Sequence, residues 1–136
     1  MSYLLDTDIC VYWLKGHKTI EQKALSVGLE KITISFITLS ELYYGSYKSM
    51  RVDANLANIN IIKDKLRLVD SSEKICETFG KLKSGLEKEG KIIDDADLFI
   101  AACALTNKMT LVTNNERHFR RIRGLQIENW LRLSRK

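Results

Sequence analysis

From Ala96 to Leu105 every residue except Asp97 is apolar. A segment that is hydrophobic all round reads as a helix covered on most sides, not as a surface helix with one greasy stripe. The helix predicted over Asp94 to Thr106 therefore needs other elements packed around it. Asp97 stands at its start, and a carboxylate leading into so apolar a helix is costly unless something compensates it.

The surrounding elements follow from pattern. Tyr3-Leu4-Leu5 is a short apolar run that stops at Asp6-Thr7-Asp8, as a buried strand does at a polar turn. Ile32 to Ser35 is short and β-branched, which favours a strand. Leu68-Val69, Met109 to Val112 and Leu125 to Ile127 read as further strands. Between them the pattern predicts helices over Ile9 to Lys15, closed by Gly16, Ile20 to Val27, Thr38 to Lys48, Asp53 to Lys65, and from Asp70-Ser71-Ser72 to Glu89. Strands alternating with helices imply a central, mostly parallel sheet with helices on both faces. With 136 residues and no linker or repeat, the expectation is one α/β domain over residues 1–136.

Composition narrows the setting. A chain that is 45% hydrophobic and 29% charged is ordinary for a soluble globular protein. No apolar run approaches the ~20 residues of a membrane span, and Met1 to Asp6 does not read as a signal peptide. A cytoplasmic location, without membrane contact, is expected. Cys10, Cys76 and Cys103 have neither zinc-ligand nor disulfide spacing. Two distant histidines, His17 and His118, leave little material for a zinc site or a histidine-centred triad. The formal net charge of +5 suits a polyanionic partner without singling one out.

In open α/β sheets the working crevice lies beyond the carboxyl ends of the strands, and acids gather where that rule points. Asp6 ends the first strand. Glu41 falls near the start of the helix after the second, Asp97 in the first turn of the buried helix, and Asn114-Asn115-Glu116 just after the fourth strand and Thr113. Singly, each has a structural reading. Asp6, Asp8 and Asp94 suit helix caps, and Thr38-Leu39-Ser40-Glu41 matches a capping box. Together they point elsewhere. Carboxylates converging on one crevice repel and raise one another's pKa, and a divalent cation relieves that. Oxygen ligands without histidine or thiolate favour magnesium, with manganese as a substitute. Such an ion activates water and stabilises charge on a phosphoryl group, which is the chemistry of phosphodiester hydrolysis.

These residues resemble a known family. Leu4-Leu5-Asp6-Thr7-Asp8-Ile9, Ser40-Glu41-Leu42-Tyr43-Tyr44-Gly45, Asp97-Leu98-Phe99-Ile100-Ala101-Ala102, the stretch Leu111 to Phe119 and the ending Gly124 to Trp130 are similar, in order and spacing, to the motifs of PIN-domain toxins of the VapC type. The resemblance implies a PIN fold, a magnesium-dependent endoribonuclease, and a cognate antitoxin that occupies the active site. It implies Asp6 and Asp97 as principal metal ligands, Glu41 as a further ligand or water-orienting group, and Thr113 and Asn115 as hydrogen-bonding members of the catalytic set. A homodimer and a larger complex with antitoxin also fit it. The chain departs from the family at Asn115, where many members carry aspartate. A second metal should then bind more weakly, and neighbouring Glu116 is a candidate substitute.

Arg117, Arg120, Arg121 and Arg123, with His118, follow the fourth motif and suit an RNA backbone, since arginine grips phosphate bidentately. A solvated basic loop is the plainer reading. Tyr12, Trp13, Tyr43, Tyr44 and Tyr47 serve the core, a groove for an antitoxin helix or the homodimer face. Two rival functions stand. Asp6-Thr7-Asp8 with Asp94-Asp95 also resembles haloacid-dehalogenase phosphatases, although Ile9-Cys10 departs from their motif and Glu41 would have no role. The other rival is a catalytically weak PIN-fold binding module.

Overall fold

Five short strands lie side by side in one direction, in the order β3-β2-β1-β4-β5. The computed structural model describes residues 1–132. Along the chain run β1 (Tyr3–Leu5), α1 (Thr7–Leu14), α2 (Lys18–Val27), a 3-10 turn (Leu29–Lys31), β2 (Ile32–Ser35), α3 (Phe36–Lys48), α4 (Val52–Lys65), β3 (Arg67–Val69), α5 (Glu73–Lys88), α6 (Asp95–Thr106), β4 (Thr110–Val112), α7 (Glu116–Phe119) and β5 (Ile127–Glu128). The central parallel sheet flanked by helices is as the sequence predicts.

Side-chain alternation builds two cores, because successive strand residues face opposite ways. Tyr3 and Leu5 of β1 and Ile32 and Ile34 of β2 join Ile9, Ile20, Leu42 and Ile59 from α1 to α4 on one face. Leu4 and Leu111 turn the other way, onto Leu98, Ile100 and Ala101 of α6 and Ile75 and Leu86 of α5. Leu4, Leu5, Ile9, Ile20 and Leu111 are wholly buried, and each such side chain contributes ~2 kcal/mol. Trp130 closes the first core from the far end of the chain, its ring 5.3 Å from that of Tyr3. Strand β3 is the partly exposed edge. Among the described residues no helix is long and apolar enough to cross a membrane.

Three local expectations change. Helix α3 starts at Phe36 rather than Thr38, because Ser35 is the N-cap and its hydroxyl accepts the Thr38 amide at 3.1 Å. Thr38 is buried inside the helix, so no capping box forms and Glu41 lies a turn further in. A one-turn helix, α7, follows β4 where only a basic loop was expected. The last strand is Ile127–Glu128, two residues later than the apolar Leu125 to Ile127 suggested.

Candidate active site

The strand order reverses between β1 and β4, since β2 and β3 run outward on one side and β5 on the other. That is where a crevice opens beyond the strand ends. Asp6 leaves β1 at this point. Its amide still donates to Val112 O at 2.8 Å, continuing the ladder, while its side chain turns out to cap α1 by accepting the Thr7 amide at 2.8 Å. The second carboxylate oxygen accepts the Thr113 hydroxyl from the end of β4 at 2.7 Å. Thr113 Oγ1 in turn accepts the Asn115 amide at 3.0 Å. Asp6 and Thr113 are both buried.

Burial comes first, and neighbouring Asp8 second, in raising the Asp6 carboxyl to about 7, against the lowering effect of the bonds from Thr113 and Thr7. Burial also raises Asp8, whose Oδ2 accepts the Asn114 amide at 3.2 Å. Asp8 Oδ1 is buried with no hydrogen-bond partner. Asp97, in the first turn of α6, is raised by burial and by Asp94, Glu41 and Asp8, while His118 pulls it down. His118 Nε2 stands 3.1 Å from Asp97 Oδ2, within ion-pair range although not aligned as a hydrogen bond. Glu41 is half-buried, and its Oε1 accepts the Thr7 hydroxyl at 2.6 Å. That hydroxyl also lies 3.1 Å from the buried Thr38 hydroxyl.

The structure thus gathers Asp6, Asp8, Glu41, Asp97 and Thr113 at the switch point of the sheet. Asn115 is different: it takes part through its backbone, and its side chain is exposed. Glu116 is turned away, held by Arg120, Arg132 and Asn129. Asp94 occupies the N-cap of α6 without a side-chain capping bond, and Asp95 pairs with Lys83 at 2.9 Å. Arg117, Arg120, Arg121 and Arg123 are all exposed on and after α7. Three roles were missed from sequence. Thr7 holds Glu41, Asp8 crowds Asp6, and His118 faces Asp97. The Asp6-Thr7-Asp8 triplet was in view, but a hydroxyl partner 34 residues away leaves no trace in local spacing.

Among the described residues no three acid, histidine or cysteine side chains close tightly enough to cage an ion by themselves. A hard cation that keeps part of its water shell needs only one or two carboxylates. The donors here suit one: all are oxygens, Asp8 Oδ1 has no partner, and no lysine, arginine or histidine pairs with Asp6 or Asp8 among the described residues.

A parallel sheet with buried acids at its switch point is the layout of a PIN domain, and the PIN domain family model matches residues 3–125. Ribonuclease VapC2 of Rickettsia felis is 40% identical over 132 residues, covering 96% of this chain and 98% of that relative. The tRNA(fMet)-specific endonuclease VapC of Shigella flexneri is 31% identical over 130 residues, with 96% and 98% covered. The solved structure of VapBC2 from Rickettsia felis, bound to a DNA fragment from their promoter, superposes with a TM-score of 0.90 at 39% identity, covering 96% of this chain and 99% of that one. The chain belongs to the VapC ribonucleases of the PIN-domain family. Membership sets aside the phosphatase reading, which has no use for Glu41.

Proposed function

We propose that this protein is a magnesium-dependent endoribonuclease and the toxin of a toxin–antitoxin pair, working in the cytoplasm. The observation that carries this reading is the buried, uncompensated carboxylate pair Asp6–Asp8 beside Asp97 at the sheet's switch point. Asp6 and Asp97 would hold magnesium, or manganese in its place, with Glu41 as a further ligand or water-orienting group. The bound ion supplies an activated water and charge stabilisation at the phosphoryl group. The chain's own residues do the positioning. Thr113 fixes Asp6, Thr7 fixes Glu41, and His118 stands against Asp97. Asn115 adds no charge, which argues for one tightly held ion rather than two.

The antitoxin has a seat beside this site. A hollow of about 370 Å³ between α1, α3 and α4 is lined by Val11, Leu14, Leu42 and Ile59 and has Glu41 in its wall. The exposed rings of Tyr44 and Tyr47 lie on α3. An amphipathic helix laid in such a groove anchors by its apolar face, and a basic side chain from it would meet the acids. A homodimer, and a larger complex with antitoxin, complete the assembly we propose.

The test is cleavage of total bacterial RNA by purified protein, with magnesium and with EDTA, alongside Asp6→Asn and Asp97→Asn. Discrete magnesium-dependent fragments, absent in both variants, establish the nuclease. The name of the Shigella flexneri relative makes tRNA(fMet) the first defined substrate to try. Equal cutting by wild type and variants means a contaminant. Metal binding without cleavage moves the binding-module reading forward.

A further inference from the structure

Away from the acids, a hollow of about 420 Å³ lies between the end of α5 and the segment after α7. Lys81, Lys91, Arg120, Arg121 and Arg123 line it, with Glu89 the one carboxylate. Leu82, Leu86 and Ile122 lie between the charges as an apolar floor. The cations come from three separate stretches of chain that the fold brings together. Gly90, with φ +73°, ends α5 in a left-handed turn, and the Lys91 amide donates back to Leu86 O at 2.9 Å. This places the chain at Lys91 beside the last turn of α5. Arg121 donates to Ile92 O at 3.1 Å, tying the segment after α7 to the loop before α6.

The neutralising contacts are thin. Lys81 reaches Glu77 at 3.5 Å, Lys91 reaches Glu89 at 3.4 Å and Arg120 reaches Glu116 at 3.4 Å, all involving exposed cations. Exposed pairs of this kind hold a lysine or arginine only weakly. Arg123 makes no salt bridge among the described residues. The groove is linked to the catalytic cleft through two stretches of chain. Its Arg121 contact is on the loop that leads into α6 and Asp97, and α7 carries His118 against Asp97 on one side and runs into Arg120 and Arg121 on the other.

We infer that this groove binds the sugar-phosphate backbone of the RNA substrate beyond the cut site, so that Lys81 and Lys91 join the arginines in setting substrate affinity. An RNA backbone fits better than an acidic protein segment because Arg120 and Arg121 follow directly on His118, which faces Asp97 in the cleft, so a strand held there has a short way to run to the acids. The inference rests on the nuclease reading for its substrate. Its test is built to fail separately.

The experiment uses the double variant Lys81→Gln/Lys91→Gln, both at exposed positions, with thermal melting to check the fold. In an Asp6→Asn background, which removes cleavage, anisotropy of a long fluorescein-labelled single-stranded RNA is titrated across a range of salt. The expected result is a severalfold weaker affinity and a log–log salt slope smaller by about 1.4, the loss of two phosphate contacts. With Asp6 intact, KM for the same RNA rises while kcat holds. Unchanged binding and slope overturn the proposal, whether or not the wild type cuts RNA. Unchanged RNA binding with weakened antitoxin binding also overturns it and assigns the groove to the protein partner. If the wild type cuts nothing, the nuclease reading fails, and the anisotropy arm still decides whether the groove holds RNA.

Discussion

The hydroxyl of Thr113 donates to Asp6 Oδ2 at 2.7 Å, bridging the ends of two strands that are 107 residues apart in sequence. With the Thr7 amide on the other oxygen at 2.8 Å, this bond fixes the orientation of the most buried acid in the cleft. Replacing Thr113 with valine keeps the shape and removes both the donor to Asp6 and the acceptor for the Asn115 amide. Leaving buried polar groups unpaired costs about 1–3 kcal/mol, and loss of an outer positioning bond costs about 10–100-fold in activity. Thr113→Ser should restore most of both. Chemical denaturation and a cleavage assay on the same preparations check the pair of outcomes, and an undiminished rate in the valine variant would refute the positioning role.

Asp6 predicts an unusual pH dependence in metal-free protein. Its folded pKa of about 7 lies above the ordinary 3.8. The unfolded chain therefore releases this proton between pH 4 and 7 while the folded chain keeps it. Stability is greatest below the unfolded value, falls as pH rises through that window, and levels off above about 7. The loss is on the order of 4 kcal/mol. Asp6→Asn should flatten the slope and be the more stable protein at neutral pH. Its amide can accept from Thr7 and donate to Thr113, so the local frame survives. Magnesium should raise the melting temperature at pH 7.5 and have little effect at pH 5, where protons hold the site. Melting curves across pH, with and without magnesium, give the answer.

Glu41 separates charge from hydrogen bonding. Glu41→Gln keeps an acceptor for Thr7 but removes one of the negative charges that raise Asp97. Cleavage should fall by about 100-fold or more, in the range of lost general acid–base or water-orienting groups. The fold should be as stable as before or slightly more so, because a repulsion is relieved. A variant with full activity would remove Glu41 from the catalytic set.

The exposed tyrosines of α3 are expected to serve the proposed antitoxin contact more than the core. Tyr44 and Tyr47 are 66% and 65% exposed. Truncating both to alanine should change stability by no more than about 0.5 kcal/mol and weaken the antitoxin complex by at least ~10-fold. Calorimetric titration with antitoxin and a melting curve separate the two effects. Unchanged affinity with a lowered melting temperature would return these rings to a structural role.

The sheet, its parallel sense and the buried α6 were legible because each rests on local pattern: short β-branched or apolar runs, helical periodicity, and a segment with no polar face. Thr38-Leu39-Ser40-Glu41 misled for an instructive reason. The motif was intact, but Ser35 lies one turn earlier and its hydroxyl already satisfies the Thr38 amide. Helix α7 escaped notice because a four-residue helix with polar neighbours has no period to detect. At the site, the acids announced themselves by their positions after strands. Their partners did not, since Thr7 to Glu41 and His118 to Asp97 are contacts made by folding across the sheet.

The placement of β1 between β2 and β4 carries a consequence for how the cell makes this protein. Synthesis runs from the N- to the C-terminal side, so Asp6 leaves the ribosome long before Asp97 and before Thr113, 107 residues later. In that interval a nascent chain holds Asp6 without Asp97 or Thr113, and the pairing of β1 with β4 has yet to form. The acid site is therefore incomplete until β4 has emerged and paired with β1.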